Sequence, residues 1–358
     1  MINKDILVIY PESVSTQIAL YKGTSLLFLK NLKHKREELE KFKDVIEQLD
    51  YRLDLILWEL HDNEAEVAEI ELVVARGGLL KPMNAGVYEI NDKMVDDLRR
   101  GTKGKHHTNL GGLLADKIAK QVNARAIMAD PVSVDEMDDI ARVTGHPLFE
   151  RKSIFHALNQ KFYARKFAKA QHRNYEELNL IMVTVGMGGI SVAAHRNGKV
   201  ADVNNAFDGD GPFSIKRTGT LPVGDLVAVC YSGKYSEEEM MDMLTRNGGY
   251  KAYLGTANIL EINAMMEKGD SRALFISDAC AYHVAKEIGA MFAVLEGKVD
   301  AIILTGNIFH SERFLDNIKR RVGAIAEFAL YPSVNDIEAL AENAFLVLKG
   351  DLEVQEYE

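Results

Sequence analysis

NLIMVTVGMGGISVAAHRNGKVADVNNAFDGDGPFS, residues 179–214, is the stretch from which the fold is read. An apolar run, 180–185, meets a glycine-rich turn at Gly186, Gly188 and Gly189; a second run, 190–194, then reaches the turn Arg196-Asn197-Gly198-Lys199. Asn-Gly between apolar runs is a strong hairpin signal, because both central residues of the favoured turn need positive φ. A glycine loop between two strands either closes a tight hairpin or leaves backbone N–H groups bare for a phosphate.

The chain begins in the same way. Residues 5–30, DILVIYPESVSTQIALYKGTSLLFLK, read as strand, small-residue loop, strand, Lys-Gly turn and strand. Gly23 and Gly198 fall in equivalent turns, 175 residues apart, and the same offset lays Ile6–Tyr10 on Ile181–Val185. A repeat at half the chain length predicts two α/β domains of one design, here 1–176 and 177–358. The two glycine-turn hairpins are then expected to face each other across a cleft.

The 358 residues, 47% of them hydrophobic, suffice for two full cores. A net charge of −10 argues against a nucleic-acid groove or an anionic membrane surface as partner. No apolar run approaches the ~18 residues of a membrane span, and no basic region precedes a cleavage site, so a cytoplasmic location is expected. Cys230 and Cys280 lie in apolar surroundings without metal-ligand spacing, which predicts two buried free thiols.

Residues 34–60 keep helical apolar spacing through Leu39, Phe42, Val45, Ile46 and Leu49, with the charges read as a solvated face. Arg76 follows a buried strand and precedes Gly77-Gly78; it is either a surface arginine at a turn or a ligand-facing group at a strand's C-terminal end. Thr108 or Asn109 is expected to cap the next helix. His106-His107 reads as a solvated or substrate-proximal pair without a third metal ligand. Asp130 closes another short strand before Pro131, a place suited to a carboxylate that positions a cation or a nucleophile. Helices are predicted over 135–143 and 153–170; His156 on the latter is either structural or catalytic. The segment 204–225 is glycine-rich and charged, which marks a functional loop. Further helices are predicted over 223–231, 236–245, 256–268 and 271–295, the last nearly apolar all round and expected to be buried. A strand over 299–304 precedes Thr305-Gly306-Asn307, and a final strand-to-helix unit starts near Asn335 or Asp336.

In order along the chain, RGGLLKP (76–82), ERKSIFHALNQK (150–161), VNNAFDGDGPFS (203–214), RTGTLPVGDL (217–226), GGYKAYLGT (248–256) and VDAIILTG (299–306) resemble the butyrate kinase family, within the acetate and sugar kinase, Hsp70 and actin superfamily. The resemblance spans essentially the whole chain. It implies two RNase H-like (actin-like ATPase) domains, the first on the carboxylate side and the second on the nucleotide side, with room for the final helix to pack back on the first. It further implies a homodimer and phosphoryl transfer between ATP and a short-chain carboxylate such as butyrate or isobutyrate, with Mg2+. Arg76 and Arg217 would hold the carboxylate and the transferring phosphoryl, and His156 would add a donor to that group. Asp130 and Asp336 would position the magnesium. Ser13, Ser15, Thr16, Gly186, Gly188, Gly189, Asp208, Gly209, Gly211, Gly306 and Asn307 would line the phosphates and the nucleotide. A carboxylate is already a nucleophile, so positioning and charge neutralisation are the mechanism.

The departures gather in the nucleotide loops. Where the family has roughly N-P-G-S-T-S-T-K, this chain has Tyr10-Pro11-Glu12-Ser13-Val14-Ser15-Thr16-Gln17. The second loop lacks its histidine, with Val185-Gly186-Met187-Gly188-Gly189-Ile190-Ser191, Asn307 replaces a glycine of the adenosine motif, and Ser333 replaces the glycine of Y-P-G. A carboxylate ~4 Å from a phosphate oxygen costs roughly 1 to 4 kcal/mol, so Glu12 predicts nucleotide binding weakened about ten- to thousandfold. The expected activity is a carboxylate kinase impaired with ATP; the alternative is a degenerate paralogue acting as a binding subunit.

Overall fold

The computed structural model describes residues 4–186, 188–333 and 335–358; Met187 lies outside the described residues. The chain divides into two units, Met1–Val134 with Asn335–Glu358, and Asp135–Val334. The position 176/177 thus falls inside the second unit, because helix Ala157–Ala170 packs on the sheet of that unit and the final helix returns to the first.

In the first unit, β1 (Asp5–Pro11), β2 (Ser15–Lys22) and β3 (Ser25–Lys33) form an antiparallel meander. On its other side β1 pairs in parallel with β4 (Ile70–Arg76). The three-residue β5 (Val87–Glu89) follows in sequence and pairs antiparallel with β6 (Arg125–Ala129), which itself lies parallel to β4. The short strand Val354–Gln355 closes that edge beside β5. β1 is buried along its whole length and β4 nearly so, as a central strand covered on both faces must be. Helices Asn109–Val122 and Asp336–Lys349 supply that cover.

The second unit repeats the arrangement. β7 (Asn179–Gly186), β8 (Gly189–Arg196) and β9 (Lys199–Val203) form the meander, and β10 (Ala301–Thr305) and β11 (Glu327–Tyr331) extend it in parallel from β7. The order β11-β10-β7-β8-β9 reproduces β6-β4-β1-β2-β3. Gly23 and Gly198 both sit at positive φ in matching turns, so the repeat read from the sequence is a repeat of structure. Both units have the strand order expected of an RNase H-like sheet.

Several local expectations are corrected. Residues 34–60 are not one helix: Arg36–Leu39 ends early, Asp44 caps a short 3-10 turn at Val45–Gln48, and only Leu49–Asp62 is a regular helix. Within it Arg52 and Glu59 are buried, so the charge is not all solvated. Asn109 does not cap its helix; its Oδ1 accepts the Leu79 N–H and pins the RGGLL turn. The helix expected over 135–143 shrinks to Asp139–Arg142, and that over 153–170 begins at Ala157 with His156 as its N-cap residue. Helix Ser271–Val294 buries one face only, leaving Phe275 exposed. Cys230 is exposed, because helix Val223–Cys230 buries none of its residues, whereas Cys280 is buried and its thiol is pushed up to about 12.

The second unit also holds a buried ion pair. Lys161 Nζ donates to Glu136 Oε2 at 2.6 Å and to the Gly198 carbonyl at 2.8 Å, tying the central helix to the β8–β9 turn. Removing one partner leaves the other charge uncompensated, which typically costs about 3 to 5 kcal/mol. Lys161→Met and Glu136→Leu are each expected to lose that much in urea unfolding, and the double variant to recover most of it.

Candidate active site

The sheet topology delivers one cluster to each unit. In the first, β1, β4 and β6 run parallel, so their C-terminal ends bring Tyr10, Arg76 and Ala129-Asp130 side by side. Ligands of open α/β sheets bind at such ends. The Arg76 guanidinium lies over the Tyr10 ring, 4.4 Å from its centroid, and Nη1 reaches the Pro11 carbonyl at 3.5 Å. The Tyr10 hydroxyl donates to Asp336 Oδ2 at the start of the final helix. Burial foremost, with the Asp336 carboxylate adding to it, holds the Tyr10 phenol well above its usual range although Arg76 opposes the shift. Tyr10 thus connects two predicted site residues, a link that the apolar reading of its strand did not suggest.

Asp130 is almost completely buried and adopts a φ of 36°, a left-handed conformation that few residues other than glycine accept. Two bonds over-determine it: its N–H donates to the Gly86 carbonyl at 2.9 Å, and its Oδ1 accepts the Gly86 N–H at 2.8 Å. The turn that follows Arg76 has no room for a side chain. A Cβ on Gly77 would stand 2.3 Å from the Pro131 Cβ, so only glycine lets the two strand ends approach.

The β1–β2 loop is held from beneath. Ser15 Oγ donates to Glu12 Oε2 at 2.6 Å and Gln17 Nε2 to the same oxygen at 3.3 Å, so the Glu12 carboxylate folds back onto its own loop. Thr16 Oγ1 is buried between Arg52 Nη1, at 3.0 Å, and His34 Nε2, at 2.8 Å. Ser13 is exposed.

In the second unit His156, Arg217 and the glycine loop are neighbours. Ser191 Oγ accepts the His156 backbone N–H at 3.2 Å and lies 2.7 Å from Nδ1. With the hydroxyl proton directed to Nδ1, Nε2 is the protonated ring nitrogen. That Nε2 is 2.8 Å from where a Cβ on Gly186 would stand and 3.8 Å from that of Gly188, so the imidazole rests on the glycine turn. Arg217 Nε donates to the Gly188 carbonyl at 3.0 Å and Nη1 to the Phe207 carbonyl at 2.8 Å, with the guanidinium stacked 4.6 Å from the Phe207 ring. Burial lowers the Arg217 pKa from its ordinary value, while Asp208 raises it.

The loop after β9 is stitched by its asparagines. Asn204 accepts the Val192 N–H at 2.7 Å and donates to the Ile190 carbonyl at 2.9 Å; Asn205 Nδ2 donates to Asp208 Oδ1 at 2.5 Å, and its N–H to Asp210 Oδ2 at 3.0 Å. Gly209 and Gly211 take positive φ within that loop. Gly306 leaves β10 beside Val185, and the exposed Asn307 opens a short 3-10 turn that buries Phe309. Beneath both loops, Asn159 Oδ1 accepts from Thr184 Oγ1 at 3.0 Å and Thr305 Oγ1 at 2.7 Å, which ties β7 to β10. Asn159, Thr184 and Thr305 are not among the residues singled out from the sequence; the signal for them is a polar residue at a buried position on each element.

Among the described residues no group of three metal-capable side chains gathers. Magnesium does not require one, since it is held through one or two carboxylates with waters and substrate phosphates. Asp130, fixed at a strand end, and the partly exposed Asp336 fit that requirement. The His106 and His107 rings pack against each other at a tilt of 43°, with centroids 3.8 Å apart.

The family model described as the Acetokinase family matches residues 144–331. The chain is 47% identical to Butyrate kinase 2 of Clostridium acetobutylicum over 352 residues, covering 98% of this chain and 99% of that protein. Its fold is that of the acetate kinase of Porphyromonas gingivalis, with a TM-score of 0.78 at 15% identity over 96% of this chain and 100% of the other. A propionate kinase of Francisella tularensis gives a TM-score of 0.75 at 16% identity, covering 95% and 98%. With a family model matched over more than half its length and a relative nearly half identical from end to end, the chain belongs to the acetokinase family.

Proposed function

We propose that the protein is a butyrate kinase-like enzyme transferring the γ-phosphoryl of ATP reversibly to a short-chain carboxylate. The near full-length 47% identity to Butyrate kinase 2 carries the reading and disfavours a degenerate paralogue. A carboxylate oxygen forms a bond to the γ-phosphorus as the bond to the ADP oxygen breaks, and the products are an acyl phosphate and ADP. Arg76 would anchor the carboxylate, its planar fork already oriented by the Tyr10 ring. His156 and Arg217 would neutralise the phosphoryl oxygens, the former through the Nε2–H that Ser191 selects. Ser13 and the loops at Gly186, Gly188-Gly189, Asp208–Gly211 and Gly306-Asn307 would carry the phosphates and nucleoside, while the buried Ser15 and Thr16, expected to line the phosphates, would support the first loop from within. Bound magnesium would neutralise developing charge, held by Asp130 and Asp336. In this reading the first unit is the carboxylate side, the second the nucleotide side, and the enzyme works in the cytoplasm.

A homodimer belongs to the same reading. Helix Val223–Cys230 has no fully buried residue and exposes Val223 and Val227, with Tyr231 exposed just after it, the kind of surface a second copy covers. Sedimentation should give a dimer for the wild type and a monomer for Val227→Glu with Tyr231→Glu; a wild-type monomer rejects the assignment.

A hydroxamate assay with ATP, magnesium and butyrate, isobutyrate or acetate tests the activity. Turnover of about 1 to 100 per second is expected, with Arg76→Ala and Arg217→Ala about a thousandfold slower and His156→Ala about a hundredfold. Absence of acyl phosphate from the wild type rejects the reading. Ser191→Ala should lower kcat by roughly tenfold with little change in KM, as the imidazole loses its fixed tautomer; Ser191→Thr should restore it. A KM effect alone would show that Ser191 only supports the fold.

A further inference from the structure

Arg52 takes no part in the reaction set out above, yet its surroundings are unusual for a cation. The side chain is fully buried, and burial draws its pKa down to about 10, so it stays charged at neutral pH. Its recorded hydrogen-bond partners are all neutral oxygens. Nη1 donates to the Glu12 and Ser15 carbonyls, both at 2.9 Å, and to Thr16 Oγ1 at 3.0 Å; Nη2 donates to the Ser13 carbonyl at 3.3 Å. Nε and Nη2 share Gln48 Oε1 at 3.2 and 2.8 Å, which fixes the plane of the guanidinium. The remaining loop carbonyl, that of Val14, accepts the His34 N–H at 2.9 Å.

All four carbonyls of residues 12–15 are therefore tied down. The peptide bonds of this loop are trans, and in a trans peptide the N–H points opposite to the preceding carbonyl. Fixing the Glu12 and Ser13 carbonyls on Arg52 consequently turns the Ser13 and Val14 N–H groups to the opposite, exposed side of the loop, and no hydrogen bond from either is recorded among the described residues. Outward amides above a buried cation make an anion seat. The side chains of the loop cannot charge it positively, since Glu12 is acidic and Gln17 neutral.

We propose that Arg52 is a positioning residue for phosphoryl binding, holding the 12–15 loop by its carbonyls and supplying from beneath the positive charge that offsets Glu12. The inference rests on the reading of this loop as phosphate-binding. It also revises the expected impairment: the Glu12 carboxylate is engaged by Ser15 and Gln17, and the loop carries a cation that its own sequence does not display.

The test compares the full-length wild type with Arg52→Gln, Arg52→Lys, Glu12→Gln and the Arg52→Gln, Glu12→Gln double variant. Each is checked for folding by circular dichroism, titrated calorimetrically with Mg·ATP and with inorganic pyrophosphate, and assayed for the KM of ATP and of butyrate. A charge acting across several ångströms at an effective dielectric near ~20 predicts an Arg52→Gln loss of about ten- to thirtyfold in affinity for both phosphate probes, with the butyrate KM within about twofold. Arg52→Lys should lie between, and the added Glu12→Gln should recover about tenfold, which a purely structural arginine would not allow. Unchanged phosphate affinity in a folded Arg52→Gln protein, or no recovery in the double variant, overturns the proposal. If Arg52→Gln does not fold, Glu12→Gln alone decides it: tightening of about three- to tenfold supports the balance of charges, and no tightening overturns it. A wild type that binds ATP but forms no acyl phosphate overturns the kinase reading and leaves the binding ratios to judge Arg52; a wild type that binds neither probe overturns both.

Discussion

Parallel pairing around one central strand is the constraint on which the rest depends. β1 and β7 each have a hairpin on one side and a parallel strand on the other. Parallel strands need a crossover, and the crossover leaves every forward strand ending on the same edge. That edge is where Tyr10, Arg76 and Asp130 meet in the first unit, and where Gly186 and Gly306 leave the sheet in the second. Chemistry follows from direction: with one strand reversed, Arg76 would stand at the opposite end of the sheet.

At these edges the same physical demand recurs, that a buried polar group must find its partner. Asn159 meets it for two threonines, Ser191 for the His156 ring, Gly86 for Asp130, and Arg52 for four oxygens of one loop. Each solution fixes the orientation of a group at the edge of the sheet. A held carbonyl turns an amide outward, and a held Nδ1 fixes the ring that rests on the glycine turn. The sites are thus prepared by satisfied bonds behind them, as catalysis by positioning requires.

Much of this was readable from the residues. Asn-Gly and Lys-Gly turns between apolar runs marked both hairpins, and the spacing between them marked the repeat, because turn chemistry is local and glycine at positive φ leaves a mark. Arg76 and Asp130 were legible as polar residues closing buried strands. Arg52 is not legible in this way, since charge on an amphipathic helix reads as a solvated face, although Arg52 is in register with the stripe Leu49, Leu53, Ile56 and Leu60. Cys230 is the converse case: apolar neighbours predict burial only when something covers them, and among the described residues nothing fully buries any residue of helix Val223–Cys230. The effect of Glu12 depended on side-chain partners that spacing does not reveal.

The first unit is discontinuous in sequence, and this bears on how the molecule is made. Its sheet is covered by helix Asp336–Lys349 and edged by Val354–Gln355, while the buried Tyr357 hydroxyl donates to Asp97 Oδ2 at 2.7 Å. During synthesis on the ribosome the segment 135–334 emerges whole and can mature as it appears, but residues 4–134 must wait some two hundred residues for their missing layer. In the interval the apolar face of β1 and β4 is without that covering helix, and it stays open until the segment beyond 334 has been made.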